Sequence, residues 1–163
     1  MLYRSRSRRS GAAAVEGALI MSAMLMLTLG MIIGAMGVYR YNELAHLSHD
    51  CARFASVHGT TYASENSAAI AASTTGYPTV DLTYLQNYVK NRAVLCKSSK
   101  FTTISIQVVS SSGSADWSLT NNAITSNGDQ NLVQVKLVYA WTPEAWFTQS
   151  VNLTHTAVLP MSY

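Results

Sequence analysis

Residues 8–38 read RRSGAAAVEGALIMSAMLMLTLGMIIGAMGV. After the two arginines this stretch carries a single charged side chain, Glu16. From Ala12 to Val38 it covers about 27 residues, which as an α-helix would be ~40 Å long. Because the hydrocarbon core of a bilayer is about 30 Å thick, we expect residues 12–38 to form a transmembrane helix.

A secretory signal peptide also has a basic start and an apolar run, but its apolar region is only about 7–15 residues long. The run here is about twice that length, so we expect the helix to stay with the protein. Lys and Arg favour the cytoplasmic side of a span. Arginines are dense before the run, whereas Arg40 after it is soon balanced by Glu43 and Asp50, so the N-terminus is predicted to be cytoplasmic. The preceding arginines are Arg4, Arg6, Arg8 and Arg9.

The start of the span resembles a known processing site. Residues 9–16, RSGAAAVE, are similar to the class III leader junction of type IVb pilins and pseudopilins, in particular the TadE/TadG-like proteins of the Flp/Tad pilus system. In that family a prepilin peptidase at the inner membrane cuts after the glycine. The resemblance implies cleavage between Gly11 and Ala12, which removes residues 1–11 as a leader. The chain differs from the family at Gly17, where an aromatic residue commonly follows the glutamate.

Two further segments resemble the same family. Residues 47–59, LSHDCARFASVHG, are similar to its helix exit, and residues 131–163 are similar to its C-terminal strands. By the same resemblance Glu16 acts in assembly, where the carboxylate of one subunit meets the N-terminal amine of its neighbour. The implied partners are the prepilin peptidase, other pilin or pseudopilin subunits, the inner-membrane assembly machinery and membrane lipid.

The span also contains small residues at helical spacing, Gly30, Gly34 and Gly37. Such a stripe lets two helices approach closely. It would serve as a packing face for neighbouring helices in a filament, or as a point where the helix unwinds. Glycine is also more frequent in membrane helices than in soluble ones, so the sequence leaves these interpretations open.

Helical periodicity continues beyond the span, because apolar residues recur at intervals of three and four. These residues are Leu44, Leu47, Cys51 and Phe54. With Gly59 as the expected stop, residues 39–59 are predicted to continue the helix outside the membrane. Residues 60–163 then form one small domain.

Within that domain two short helices are predicted, at 64–75 and 81–97, from cap signals and apolar stripes. Alternation of apolar and polar residues predicts three strands. They are residues 101–109, 132–141 and 151–159.

The rest of the domain is predicted to be connections. Residues 110–130 are rich in Ser, Gly and Asn and form a long loop, with room for one short strand around Trp117. Trp146 and Phe147 either cap the core or contact another subunit. The predicted fold class is α+β: a long N-terminal transmembrane and stalk helix, then a small pilin-like domain with two short helices and an antiparallel sheet of about three strands.

Composition argues against several classes of function. The net charge is +3, and the four arginines before the span exceed that excess, so no basic patch for nucleic acid remains. His46, His49, Asp50 and His58 lie on one predicted helix, where a pair three residues apart can share a metal. No convincing third ligand accompanies them, and phosphate loops and nucleophile motifs are absent from the sequence. We therefore expect no catalytic residues, no metal and no cofactor.

Cys51 and Cys96 are the two cysteines of the chain. Both are predicted to lie outside the membrane, where disulfides persist. We predict a bond between them, closing a loop of about 45 residues and contributing roughly 4 kcal/mol on the chain-entropy model. The alternative is two buried thiols.

Three functions remain for such a chain. The favoured one is a pseudopilin or minor pilin in the inner membrane, with its C-terminal domain extracytoplasmic, that acts in pilus assembly or enters the pilus. Such pili serve adhesion, surface colonisation or secretion. The second is an uncleaved single-pass anchor with a small extracytoplasmic binding domain. The third, a secreted metal-dependent enzyme, rests on the histidines alone.

Overall fold

The computed structural model describes residues 10–58, 82–110, 113–117, 132–143 and 149–161. Residues 1–9 of the predicted leader, the predicted helix at 64–75, and Trp146 and Phe147 lie outside the described residues. The chain divides into two units, Met1–Val38 and Tyr39–Tyr163.

Helix α1 runs from Ser10 to Val57, which confirms the prediction of one long helix ending just before Gly59. Its sequence is rich in Ala, Leu and Met, which favour helix, and contains no proline. Every side chain described from Gly11 to Ile32 is exposed. Among the described residues, α1 is the one helix long and apolar enough to cross a membrane.

Helix α2 spans Leu82–Arg92 and ends five residues earlier than predicted. The backbone N–H groups of Val94, Leu95 and Cys96 donate to the carboxylate of Glu43 and not to helix carbonyls. This contact draws the chain out of the helix, and a single 3₁₀ turn, Ser98–Lys100, leads into the sheet.

The sheet has four antiparallel strands in the order β2-β1-β3-β4, which confirms the α+β class with one strand more than the three predicted. The strands are β1 (Phe101–Ser110), β2 (Gly113–Asp116), β3 (Leu132–Trp141) and β4 (Val151–Pro160). The fourth is β2, which has four residues, all exposed, and so gives little alternation to detect. It begins at Gly113, whose φ of +138° suits a residue without Cβ.

The core of the second unit lies between one face of this sheet and the two helices. β3 supplies alternate buried residues, as its sequence pattern predicts. They are Val133, Val135, Leu137, Tyr139 and Trp141. From the helices Leu44, Leu47, Cys51, Leu85 and Val89 are buried against them. Full burial of such a side chain contributes about 1.5–3 kcal/mol, so this face holds the unit together.

Candidate assembly site

The predicted cleavage junction lies in the first turn of α1. The helix starts at Ser10, so Gly11 and Ala12 are both helical, and both are exposed. A Cβ at Gly11 would meet nothing within 4 Å. The first N–H groups of a helix have no partner within the helix, so this turn opens at little cost.

Glu16 differs from the other two polar side chains between Ala12 and Val38. The Ser22 hydroxyl donates to the Leu19 carbonyl at 2.9 Å, and the Thr28 hydroxyl lies 3.0 Å from the carbonyls of the preceding turn. Glu16 is exposed and has no hydrogen bond or ion pair within the described part of the chain. The two hydroxyls are therefore suited to an apolar solvent, whereas the carboxylate lacks a partner.

The glycines of the span differ among themselves. At Gly30 and at Gly34 an added Cβ would meet no atom within 4 Å, whereas Gly37 is buried. Gly30 and Gly34 lie four residues apart and so on the same face of α1. These two positions leave backbone open to a close neighbour.

Glu43 forms a contact that the sequence did not predict. Its Oε1 accepts the N–H groups of Val94 at 2.6 Å and Leu95 at 2.8 Å, and its Oε2 accepts that of Cys96 at 3.0 Å. Hydrogen bonds to an ionised acceptor are about twice as strong as neutral ones. The carboxylate thereby ties α1 to the segment after α2. These three residues follow Glu43 by 51 to 53 positions, and no sequence pattern links positions so far apart.

A row of side chains joins the same two helices further along. Arg92 donates to Asp50 at 3.0 Å and to the Tyr88 hydroxyl, and its guanidinium lies 5.0 Å from the centre of the Tyr88 ring. Tyr88 stacks on Phe54 at 4.8 Å, and Phe54 stacks on His58 at 4.1 Å. The Arg92–Asp50 pair is exposed, so stacking contributes more here than the ion pair.

The histidines do not meet as their spacing on α1 suggested. His49 lies 5.5 Å from His155 of β4, and His155 Nδ1 is 2.6 Å from the Ser48 hydroxyl. Because that hydroxyl also donates to the Ala45 carbonyl, it accepts from His155. Burial, and then the nearby His49, lower the pKa of His155. Among the described residues no three His, Cys, Asp or Glu side chains are grouped to hold a metal.

The predicted disulfide is not formed in the structure, where Cys51 and Cys96 are both free and both buried. The reason is that Cys96 packs beside an earlier part of α1 than the part that contains Cys51. Cys96 N–H donates to Glu43, and its sulfur lies 3.9 Å from the Arg40 carbonyl. Cys51 is eight residues beyond Glu43, about 12 Å along a helix, whereas a disulfide needs Cα atoms within about 7 Å. Burial is the main cause that raises the pKa of each thiol to about 12.

Comparison with known protein families gave a match within helix α1. Residues 11–53 match the family of TadE-like proteins, which confirms the resemblance to TadE-like proteins of Tad pilus systems. The match covers the predicted junction, Glu16, the glycine stripe and Glu43. Comparison with curated proteins and with solved structures gave no match.

Proposed function

We propose that the chain is a pseudopilin or minor pilin of a Flp/Tad-type pilus. In this proposal a prepilin peptidase cuts between Gly11 and Ala12, and residues 12–38 hold the protein in the inner membrane. The N-terminus is cytoplasmic, and the unit from Tyr39 onward is extracytoplasmic. Partners are other pilin or pseudopilin subunits and the inner-membrane assembly machinery. The chain assembles and has no catalytic activity.

The carboxylate of Glu16, for which the described part of the chain offers no partner, carries this proposal. A charged side chain within a span costs about 2.5–3.5 kcal/mol near its centre and less near its edge. The two hydroxyls of the same span are satisfied by the helix itself, whereas Glu16 has no partner among the residues that the structure describes. A partner from another molecule would remove the cost. The new amine that cleavage creates on Ala12 of a neighbouring subunit has the required charge.

The assembly step then has a physical driving force. Two opposite charges in an apolar surrounding attract strongly, and each is costly when it stands alone. Docking neutralises both, so a subunit in register is favoured over one that lies loose in the bilayer. The open backbone at Gly30 and Gly34 supports the same step, because it permits close approach of a neighbouring helix.

Processing is tested by the mass of the N-terminal fragment in a host with its own prepilin peptidase. The protein should begin at Ala12, and Gly11→Leu should keep the leader. Gly17→Leu is the matched control, because Gly17 also has open space around it and should still be cut. A native protein that begins at Met1 would contradict the proposal.

The role of Glu16 is tested by complementation of a deletion strain. Glu16→Gln should be inserted, cut and folded normally, yet surface pili should be lost. Ser22→Ala is the control, since it removes a polar group that the helix already satisfies. Normal piliation with Glu16→Gln would show that the carboxylate has no part in assembly.

One observation favours the second candidate, an uncleaved single-pass anchor with an extracytoplasmic binding domain. Gly11 and Ala12 lie within α1, so a protease would have to unwind the first turn to reach the bond between them. The mass of the N-terminal fragment distinguishes the two candidates, because an uncleaved anchor begins at Met1 and a processed pilin begins at Ala12.

A further inference from the structure

The segment between α2 and the 3₁₀ turn, residues 93–97, presents apolar side chains to solvent; we call it the Val94 loop. Val94 is 88% exposed, the largest fraction among the exposed large apolar side chains that the structure describes. Leu95 is 39% exposed, whereas Cys96 is buried. Single exposed apolar residues are ordinary, but adjacent ones on a fixed backbone need a reason.

The backbone of the Val94 loop is fixed by Glu43. Three consecutive N–H groups point at one carboxylate, at 2.6, 2.8 and 3.0 Å. Val94 and Leu95 therefore do not collapse onto the core.

An open groove of about 680 Å³ adjoins the Val94 loop, and its lining is mixed. Tyr39, Leu47, Val94 and Leu95 supply its aromatic and apolar side chains, and the polar ones are Asn42, Glu43, His46, Asp50 and Arg92. Tyr39 is 64% exposed and Tyr41 is 42% exposed. Tyrosine is enriched where a membrane meets water, since its ring is apolar and its hydroxyl is wet.

The residues of this groove on α1 follow the apolar run closely in sequence. Tyr39 directly follows Val38, the last residue of the run, and Glu43 comes five residues after it. Five residues rise about 7.5 Å as a helix. The interfacial zone of a bilayer extends roughly 5–8 Å beyond the hydrocarbon on each side. The Val94 loop is bound to Glu43, which follows the apolar run by five residues on the same helix.

The charge of the loop suits a membrane surface. Lys97 is exposed, and Arg92 has its charge shared with Asp50. A basic side chain is attracted to an anionic lipid surface. The loop thus has two exposed apolar side chains, Val94 and Leu95, and one exposed basic side chain, Lys97.

We propose that the Val94 loop contacts the lipid surface, with Val94 and Leu95 inserted at the headgroup boundary beside Tyr39. The inference rests on the proposed function only in needing residues 12–38 to span the membrane. The contact would give the extracytoplasmic unit a second attachment to the bilayer before a subunit enters the filament.

The test uses the full chain in vesicles of phosphatidylethanolamine and phosphatidylglycerol, with a nitroxide label on Val94→Cys. The native thiols are buried and their pKa is raised to about 12, so the exposed new cysteine is labelled selectively. Frequent collisions of the nitroxide with oxygen, which dissolves in lipid, indicate contact with lipid. Frequent collisions with a water-soluble nickel chelate indicate exposure to water. Two matched labels serve as references: Lys136→Cys, at an exposed position of β3, for contact with water, and Met24→Cys, within the span, for contact with lipid.

The label at position 94 should show more oxygen collisions and fewer nickel collisions than the label at 136. Equal values at 94 and 136, with lipid contact at 24, would overturn this inference and leave the anchor intact. Water contact at 24 would instead overturn the membrane anchor itself. Protection from both reagents at 94, with spin broadening that rises with protein density, would assign the loop to a second copy and also overturn the lipid contact.

Discussion

The two glutamates of α1 lie in opposite surroundings. Glu16 stands among exposed apolar residues and has no partner among the residues the structure describes, whereas Glu43 accepts three backbone N–H groups. The same contrast holds for the two units in general. From Gly11 to Ile32 apolar side chains are exposed and hydroxyls bond the helix; from Tyr39 onward apolar side chains form a core. The two parts of α1 therefore differ in surroundings, and a glutamate has a different role in each part.

The largest expected effect concerns the thiols of the core, and it is all-or-none. In the folded full-length protein in detergent, neither Cys51 nor Cys96 should react with an alkylating reagent, because both are buried and their pKa is raised to about 12. On denaturation without reductant both should be alkylated, as read by mass. If both cysteines instead stay unlabelled after denaturation and react only after reduction, the protein contains the disulfide predicted from the sequence.

The next effect sharpens the contrast between the glutamates. Glu43→Ala should lower the free energy of unfolding of the unit from Tyr39 onward by about 2–3 kcal/mol, because it removes a charged acceptor from three N–H groups. Urea unfolding of the full chain in detergent, followed by tryptophan fluorescence, measures it. Asp50→Asn should cost less than about 1 kcal/mol, since its ion pair is exposed. Glu16→Gln should change this free energy not at all; equal losses for Glu16 and Glu43 would contradict the division of roles.

A smaller effect of opposite sign is expected in the sheet. The Tyr139 side chain is completely buried, and its hydroxyl has no hydrogen-bond partner within the described residues. Its ring packs edge-on against Phe101 at 5.5 Å, a contact that phenylalanine would keep. Tyr139→Phe should therefore raise the free energy of unfolding by about 1 kcal/mol, measured by the same urea titration. A loss of stability would mean that the hydroxyl has a partner after all.

The smallest effect is a dependence on pH. The pKa of His155 is lowered in the folded protein by burial and by His49, so the unfolded chain binds its proton first. Stability should be full above the ordinary histidine pKa of about 6.5 and should fall as the pH drops below it. Comparison of urea midpoints at neutral and mildly acidic pH for wild type and His155→Gln checks this. An identical acid loss in the variant would assign the dependence to other groups.

Local patterns predicted most of the secondary structure. The length of α1 and the strands β1, β3 and β4 agree with their periodicity to within about two residues. The apolar run, the basic segment and the glutamate after a glycine led to the TadE-like resemblance that the family match confirms. These features are visible in sequence because each depends on residues a few positions apart, where spacing alone sets which side chains share a face.

The tertiary structure decided which distant residues meet. Glu43 ends α2 early because its carboxylate takes the N–H groups at 94–96, and no local pattern records that contact. The predicted disulfide is absent for the same reason. Both cysteines are buried, as their apolar stripes predicted, but a stripe shows only that a side chain faces the core and not which residue of the other helix it meets. His155 likewise met Ser48, 107 positions away, through the pairing of strands. Contacts of this kind depend on how whole elements pack, and the periodicity of a single element does not contain that information.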